Sequence, residues 1–209
     1  MDLQKVAYRI ETPRLVIRAW DPKDYALLKD AIDRSIDHLL PFLPWARYEP
    51  EPIDDKIARI RRWRADYDSD KEYVMGVFSP DETKALGGTG LHARVGDHAL
   101  EIGYWIAAEA VRQGFATELS AALTKVGFEV MGMRRMEIHC DERNIGSAKV
   151  PEKLGYSLDA KFKDEDPGEP GAYRMTMVWR MFYEDYLKSP AKDIRIKAYD
   201  IVNRLILED

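Results

Sequence analysis

The sequence predicts one α/β domain, in which helices flank a mixed, mostly antiparallel twisted sheet of about seven strands. Three observations lead to this fold class. With 209 residues, 45% of them hydrophobic, the chain can bury one sizeable core but is short for two. Its apolar patterns follow the order strand, two helices, three strands, helix, strand, helix, two strands. No internal repeat or low-complexity linker interrupts that order, which favours a single layered domain.

The first third of the chain is predicted to form one strand and two helices. RLVIRAW (14–20) has the apolar, β-branched composition of a strand. Asp21 and Pro22 supply an N-cap and a first-turn proline for a helix through about Leu40, which the prolines of PFLPW (41–45) end. A second helix is expected from about Pro52 to Tyr67. Its arginines lie near aspartates, which favours a solvated face over a phosphate-binding patch; they are Arg59, Arg61, Arg62 and Arg64.

The middle and last parts alternate strand-length runs with turns and helices. EYVMGVFS (72–79), ALGGTGLHARV (85–95) and ALEIGYWIA (99–107) are separated by polar turns, which predicts three antiparallel strands. A helix from about Ala116 to Met131, a strand at 135–140, a short helix ending at Gly155, and strands near 156–162 and 173–182 complete a domain of residues 1–189. Residues 190–209 are expected to form an extra C-terminal helix, packed on the domain or on a partner subunit.

Composition narrows the class of protein. The formal net charge of −5 and the pI near 5.5 argue against nucleic-acid binding through a broad basic field. The lone cysteine, Cys140, cannot form an intramolecular disulfide and is expected to be a buried core residue in a reducing compartment. MDLQKVAYRIE (1–11) lacks a secretory apolar region, and no stretch approaches the ~18 apolar residues of a membrane span. We therefore expect a soluble, cytoplasmic protein.

VRQGFAT (111–117) precedes the most regular amphipathic helix. A loop that ends at a helix N-terminus offers unpaired N–H groups and the positive end of the helix dipole, which attract a phosphate. Gly114 would let an anion approach closely, and Arg112 adds a positive charge. A sharp turn explains the glycine equally well. The stretch is neither a Walker loop nor a dinucleotide fingerprint, because it lacks both glycine patterns.

Several motifs together carry a family resemblance. EIGYWIA (101–107), EAVRQGFAT (109–117) and RNIGSAKVPEKLGY (143–156) resemble the GNAT superfamily of acetyl-CoA-dependent N-acyltransferases. With ETPRLVIRAW and PFLPW, they are most similar to the RimJ/RimL-like branch, the ribosomal-protein N-terminal acetyltransferases, from about Glu11 to Trp179. The resemblance implies a GNAT-like fold, acetyl-CoA as co-substrate, no metal, and direct transfer of an acetyl group to a primary amine.

The resemblance also implies which residues hold the cofactor. The family's pyrophosphate loop, [QR]xxGx[GA], corresponds to Val111 to Ala116, where Val111 replaces the usual polar residue. The pantetheine arm would pair with the main chain like an added strand, and an N–H near Ile106 would polarise the thioester carbonyl. The expected cofactor-binding residues are Trp105, Ile106, Arg112, Gln113, Gly114, Phe115, Ala116, Thr117 and Asn144.

The acid that protonates the leaving thiolate is not the superfamily's common one. In the superfamily the common acid is a Tyr seven positions after the Asn that Asn144 matches, but in this chain Pro151 occupies that position. The RimL-like pattern instead gives the role to Ser147. Asn144 and Ser147 are also ordinary helix caps, which leaves capping open as their alternative role. Pro151 further predicts a short or distorted helical turn.

The expected general base is Glu101, because it lies in an otherwise apolar strand where desolvation would raise its pKa. A solvent-facing Glu101 is the alternative, and Glu165 and Asp166 are reserve candidates by position. His92, His98 and His139 can titrate near neutral pH, but their spacing does not suggest a metal site.

The acceptor is expected between the first two helices, PFLPW and the loop 164–172. The branch resemblance favours a protein or peptide N-terminal α-amine, with a small-molecule amine or antibiotic as the alternative. The acidic stretches DEDPGEP and YEPEPIDD suit a cationic acceptor of either kind. Two hypotheses come from other classes: a non-catalytic acyl-CoA-binding module and, ranked lowest, a homodimeric interaction protein.

Overall fold

The computed structural model describes residues 6–166, 169 and 171–208, and its strands form one ten-stranded sheet. Across the sheet the order is β10-β9-β1-β2-β3-β4-β5-β6-β8-β7, and all neighbours are antiparallel except β5 and β6. The predicted mixed, mostly antiparallel sheet is confirmed, with more strands than expected. In chain order the strands are β1 Arg9–Glu11, β2 Val16–Ala19, β3 Tyr73–Phe78, β4 Ala85–His92, β5 Ala99–Ile106, β6 Arg135–Asp141, β7 Ser157–Glu165, β8 Tyr173–Phe182, β9 Lys197–Tyr199 and β10 Leu205–Glu208.

Helices cover both faces of the sheet. On the front face, α1 packs against β4 and α3 against β3; on the back face, α4 packs against β5 and α5 against β6 and β7. The predicted second helix is confirmed as α3, and the helix after the Gly114 loop is α4, continued by a π-helical turn over Val126–Val130. The α-helices are α1 Tyr25–Asp33, α2 Ile36–Leu39, α3 Ile53–Asp68, α4 Phe115–Lys125, α5 Ile145–Leu154 and α6 Tyr183–Tyr186.

The first predicted helix is interrupted at Ser35. A 3₁₀ turn over Pro22–Asp24 precedes α1, and α2 begins only at Ile36. The Ser35 hydroxyl donates to the Ala31 carbonyl at 2.7 Å and accepts the Ala108 N–H at 2.9 Å. This tertiary bond ties the end of α1 to the loop that follows β5, at the expense of a continuous helix.

The expected C-terminal helix is wrong. After a 3₁₀ turn over Pro190–Asp193, the segment forms the β9–β10 hairpin, and β9 pairs with β1 through Ile10 and Ala198. Buried Ile196 and Ala198 alternate with exposed Arg195 and Lys197, which is a two-residue period. The buried Lys125 ammonium of α4 donates to the carbonyls of residues 192 and 194 at 3.0 and 3.1 Å, which fixes the segment to the domain.

Candidate active site

β5 and β6 run parallel but pair only at their beginnings. Their register spans Ala99–Arg135 to Glu101–Glu137, after which β5 pairs only with β4 among the described residues. The Ala107 N–H donates to the Leu86 carbonyl of β4 at 2.9 Å. Because successive main-chain groups of a strand point to opposite edges, the N–H and C=O of Ile106 point into the gap between β5 and β6. An open strand edge therefore lines this gap.

A cavity of about 920 Å³ passes through the gap and has residues from both faces in its wall. Alternate residues of a strand point to opposite faces, so Glu101 and His139 line it from the front, and Tyr104 lines it from the back beside Ser147 of α5. The gap thus connects a front chamber with a back chamber. Aromatic side chains surround the front chamber; they are Trp20, Phe42, Trp45, Trp63, Trp105 and Phe162.

The aromatic wall is held by a buried ion pair. The Lys56 ammonium of α3 lies 2.6 Å from Glu49 Oε1, and both side chains are almost completely inaccessible to solvent. This pair fixes the segment that carries Trp45, whose ring packs edge-on against Trp105 at 5.9 Å. Arg59 and Arg62 also line this chamber, but Arg61 and Arg62 are exposed, as expected for a solvated helix face. Arg59 is only partly exposed and is bonded to Glu51 at 2.7 Å, and Arg64 pairs with Asp68.

The Gly114 loop begins α4 without a side-chain cap. Arg112 and Gly114 both have left-handed φ angles, of 62° and 84°. The Glu118 N–H makes the first helical bond, to the Gly114 carbonyl at 3.0 Å. The N–H groups of Phe115, Ala116 and Thr117 are consequently unpaired within the helix. Within 4 Å, a Cβ at Gly114 would meet only the Arg14 guanidinium among the described residues, at 3.4 Å, so the glycine serves the turn and also leaves the approach open.

Arg14 fastens this loop, although the sequence did not reveal the contact. Its guanidinium donates to Glu118 of α4 at 2.7 Å and to the Gln113 carbonyl at 2.9 Å, and it lies over the Phe115 ring at 4.8 Å. Thr12 donates to the other oxygen of the Glu118 carboxylate at 2.6 Å. The sequence pointed to Arg14 only through its place in ETPRLVIRAW, one of the stretches that carry the family resemblance.

Asn144 and Ser147 play different local roles in the back chamber. The Asn144 side chain accepts the Ser147 N–H at 3.0 Å, which is an N-cap of α5. The Ser147 hydroxyl lies 3.0 Å from the Tyr104 hydroxyl, and both residues line the cavity with Asn144. Cys140 also lines it and is only half-buried; burial raises the pKa of its thiol, which keeps it protonated.

Glu101 is buried in the front chamber, which removes the solvent-facing alternative. The expected rise of its pKa is wrong. Burial does raise the pKa of Glu101, but two hydrogen bonds from Arg94, at 2.7 and 2.8 Å, and the neighbouring His139 and His92 outweigh it and hold the pKa below its usual value. His92 of β4 pairs with Glu101 of β5. The chain reverses direction in the turn that contains Gly96, which brings Arg94 close to the Glu101 carboxylate.

Two histidines flank Glu101 in the cavity wall. His139 Nε2 lies 2.6 Å from Glu137 Oε2, and its Nδ1 lies 3.8 Å from Glu101 Oε2. His92 Nδ1 lies 2.6 Å from Glu72 Oε2, and its ring packs over Gly103, where a Cβ would approach Nε2 to 2.9 Å. Each ring thus has one nitrogen held by a carboxylate.

The other candidates lie away from the cavity. Glu165, Asp166 and His98 do not line it, and Asp166 bonds Arg143 at 3.1 Å. Residues 167, 168 and 170 of the DEDPGEPG loop lie outside the described residues. Over the ranges described, no group of three or more His, Cys, Asp or Glu side chains is arranged to hold a metal ion, and no helix has the length and apolarity to cross a membrane.

Comparison with known proteins agrees with this geometry. A family model described as "Acetyltransferase (GNAT) domain" matches residues 14–157. The Bacillus subtilis (strain 168) protein named "Putative ribosomal N-acetyltransferase YdaF" is 28% identical over 176 residues, which are 83% of this chain and 91% of that protein.

Two solved structures share the fold. RimL, described as a ribosomal L7/L12 alpha-N-protein acetyltransferase in complex with coenzyme A, is 18% identical with a TM-score of 0.73, over 82% of this chain and 95% of that one. The microcin C7 self-immunity acetyltransferase MccE, in complex with acetyl-CoA and AMP, is 18% identical with a TM-score of 0.73, over 81% and 93%. The predicted resemblance to the RimJ/RimL-like branch is confirmed, and the chain is an acyltransferase that belongs to the GNAT family of N-acetyltransferases.

Proposed function

We propose that this chain transfers the acetyl group of acetyl-CoA to the α-amine of a protein or peptide N-terminus. The observation that carries the proposal is the cavity through the β5–β6 gap, because it joins a back chamber suited to a thioester with a front chamber suited to an amine. The two substrates would meet inside the sheet, where the gap joins the two chambers. We also infer a cytoplasmic location, consistent with a single cysteine.

Acetyl-CoA would bind along the open edge of β5, from the back chamber to the Gly114 loop; neither Ile106 nor residues 112–117 line the cavity itself. The pyrophosphate would bind the unpaired N–H groups of Phe115, Ala116 and Thr117, with Arg112 and Gln113 at the rim. The pantetheine arm would add to the open edge of β5 and pair with main-chain groups of Ile106; the main chain of Trp105 points towards β4 instead. The Ile106 N–H would then polarise the thioester carbonyl.

The two sides of the gap divide the proton transfers. When the amine attacks the carbonyl carbon, a C–N bond forms and the C–S bond breaks. Ser147 would give its hydroxyl proton to the departing sulfur, and the Tyr104 hydroxyl at 3.0 Å orients Ser147. The ammonium must lose its first proton on the front side, where Glu101 and His139 lie.

A small-molecule amine is the second candidate acceptor. The front chamber is walled by tryptophans, and the guanidinium of Arg62 has no ion-pair partner within the described part of the chain, which suits a compact ligand that carries a flat ring. The self-immunity acetyltransferase MccE, which was solved with AMP, has the same fold. A peptide would instead place only its first residues in the chamber.

Calorimetric titration with acetyl-CoA tests the cofactor site. Gly114→Glu should abolish saturable binding, because it adds a carboxylate and a strained side chain to the phosphate-binding loop. Gly132→Glu is the matched control: Gly132 also has a left-handed φ, of 67°, with open space around it, and it lies beyond the other end of α4. Equal loss of binding in both variants, or no binding by the wild type, would contradict the proposal.

A CoA-release assay then identifies the acceptor class. Peptide amides with a free N-terminal Ser or Ala should be turned over, and the same peptides with acetylated N-termini should not. Spermidine and an aminoglycoside represent small amines. Turnover confined to these two would favour the second candidate, and saturable acetyl-CoA binding without turnover of any amine would favour a non-catalytic module.

A further inference from the structure

Glu101 is poorly suited to accept a proton in the front chamber. Both of its oxygens accept hydrogen bonds from the Arg94 guanidinium, at 2.7 and 2.8 Å. The fixed cation favours the ionised carboxylate, which keeps free lone pairs on both oxygens. Such a group attracts an ammonium but gives up its negative charge reluctantly. Another residue of the chamber must therefore remove the proton.

His139 is held as a hydrogen-bond acceptor that faces Glu101. Glu137 is a fixed anion: burial raises its pKa, but His139 and Arg180 outweigh that and lower it overall. Its Oε1 accepts bonds from Arg135 and Arg180 at 2.7 and 2.8 Å, so Oε2 is left for His139 Nε2 at 2.6 Å. A carboxylate can only accept. The neutral imidazole therefore carries its hydrogen on Nε2, and Nδ1 keeps the lone pair.

We propose that His139 Nδ1 is the general base that deprotonates the acceptor amine, with Glu101 as the anion that binds the ammonium. This inference rests on the proposed function. His139 Nδ1 and Glu101 Oε2 lie 3.8 Å apart, so one ammonium nitrogen can contact both at hydrogen-bond distance. Both residues line the front wall where β5 leaves β6, opposite Tyr104 and Ser147. Base and acid thus lie on the two sides of the thioester.

The proton balance closes with these groups. The bound ammonium gives one proton to His139 Nδ1 and gains a lone pair, which attacks the carbonyl carbon. As the C–S bond breaks, the sulfur takes the hydroxyl proton of Ser147. The nitrogen loses its second proton to solvent water, and water returns a proton to Ser147. Imidazolium finally releases its proton to solvent, so each turnover yields an amide, a CoA thiol and one proton.

His92 is the rival base. Its Nδ1 is held by Glu72, and its ring is packed against Gly90 and Gly103. His139 is favoured because it lies on β6, next to Cys140 and two residues beyond the last β5–β6 pair, whereas His92 lies on β4, one strand further from the gap. Several charged groups lie around the two rings, on the neighbouring strands and the segments that join them; they are Glu72, Arg94, Glu101, Arg135, Glu137, Asp141, Arg174 and Arg180.

Nitrogen-15 NMR of the wild-type histidine rings tests the tautomer directly. The chain has four histidines, and His139→Gln assigns the signal. The neutral His139 ring should carry its hydrogen on Nε2. A neutral ring protonated on Nδ1 would overturn the proposal, because Nδ1 could not then accept a proton. This measurement needs no acceptor and does not depend on turnover.

Steady-state kinetics test the role, with the peptide amide that the wild type acetylates as the probe. His139→Gln should lower kcat by about 10²-fold or more and remove the acid limb of the kcat/KM profile, while the KM for acetyl-CoA stays within about twofold. The control is His38→Gln, on the exposed side of α2, which should leave kcat, the acid limb and the KM for acetyl-CoA unchanged. Loss of the limb in His92→Gln but not in His139→Gln would overturn the assignment. Absence of wild-type turnover with every amine would remove the proposed function and, with it, this role.

Discussion

The Tyr104 hydroxyl lies 3.3 Å from the main-chain oxygen of Ser147, the carbonyl to which residue 151 would donate in a regular helix. Residue 151 is a proline and has no N–H. Tyr104 supplies the missing donor, and α5 runs unbroken from Ile145 to Leu154 instead of forming the expected short or distorted turn. Pro151, at the position of the superfamily's tyrosine, thus leaves the Ser147 carbonyl without a helical donor, and Tyr104 binds that carbonyl instead.

Tyr104→Phe should therefore affect both stability and rate. The variant loses the bonds to the carbonyl and hydroxyl of Ser147, which should lower the free energy of unfolding by about 1 kcal/mol and kcat by roughly tenfold. Urea unfolding and CoA-release rates measure the two effects. Tyr156→Phe is the control, because it loses a buried bond to Thr124 at 2.7 Å away from the cavity wall and should change stability alone. Equal kcat losses in both variants would argue against an orienting role for Tyr104.

Arg14 does not contact the reacting atoms, but its removal should weaken cofactor binding. Arg14→Ala removes the guanidinium bonds to the Gln113 carbonyl and to the Glu118 carboxylate, so the loop before α4 loses two charge-assisted bonds, while Thr12 still holds Glu118. Because the guanidinium is half exposed, we expect only about 1 kcal/mol, or a roughly fivefold rise in the Kd of acetyl-CoA. Calorimetry checks this value, and Arg14→Lys should restore part of the affinity. An unchanged Kd in Arg14→Ala would show that the loop holds its shape unaided.

Glu101 makes the free energy of unfolding depend on pH. Its pKa is lower in the folded protein than the unfolded value near 4.5, so its contribution is fully present above that pH and is lost as the pH falls through the folded value. Glu101→Gln should flatten the dependence of the unfolding free energy on pH below about 4.5. Urea midpoints at pH 7, 4.5 and 3.5 for the two proteins measure the difference. Parallel curves would mean that Arg94 does not stabilise the ionised form.

The β1–β9 pairing predicts that the C-terminal segment contributes to global stability. Ala198 is completely buried opposite Ile10, so Ala198→Glu should lower the unfolding free energy by about 2–4 kcal/mol. Arg195→Glu, which places the same charge at an exposed site of the same segment, should change it by less than about 0.5 kcal/mol. Thermal unfolding compares the variants. Similar midpoints for both would mean that residues 190–208 unfold separately from the sheet.

The sequence predicted the elements whose signals are local. α3 and the strands β2 to β6 follow from periodicity within each segment, and the cavity contains Glu101, Asn144 and Ser147, which were singled out from motifs. Contacts between distant segments leave no such local signal. The spacing of the isoleucines after residue 190 fits a helix, and only the pairing with β1 favours the strand that the structure contains. The pKa of Glu101 was misjudged because a single strand shows its burial but not the Arg94 that the hairpin brings back.

The position of β1 between β2 and β9 has a consequence for how the chain reaches its native state. Glu11 and Tyr199, which contact each other across this pair, are 188 positions apart. At a translation rate of about 5–20 residues per second, the outer edge of β1 waits on the order of ten seconds or more for its partner strand on the ribosome. During that interval Arg9 and Glu11 place charges along the unpaired edge, which discourages pairing with another nascent chain.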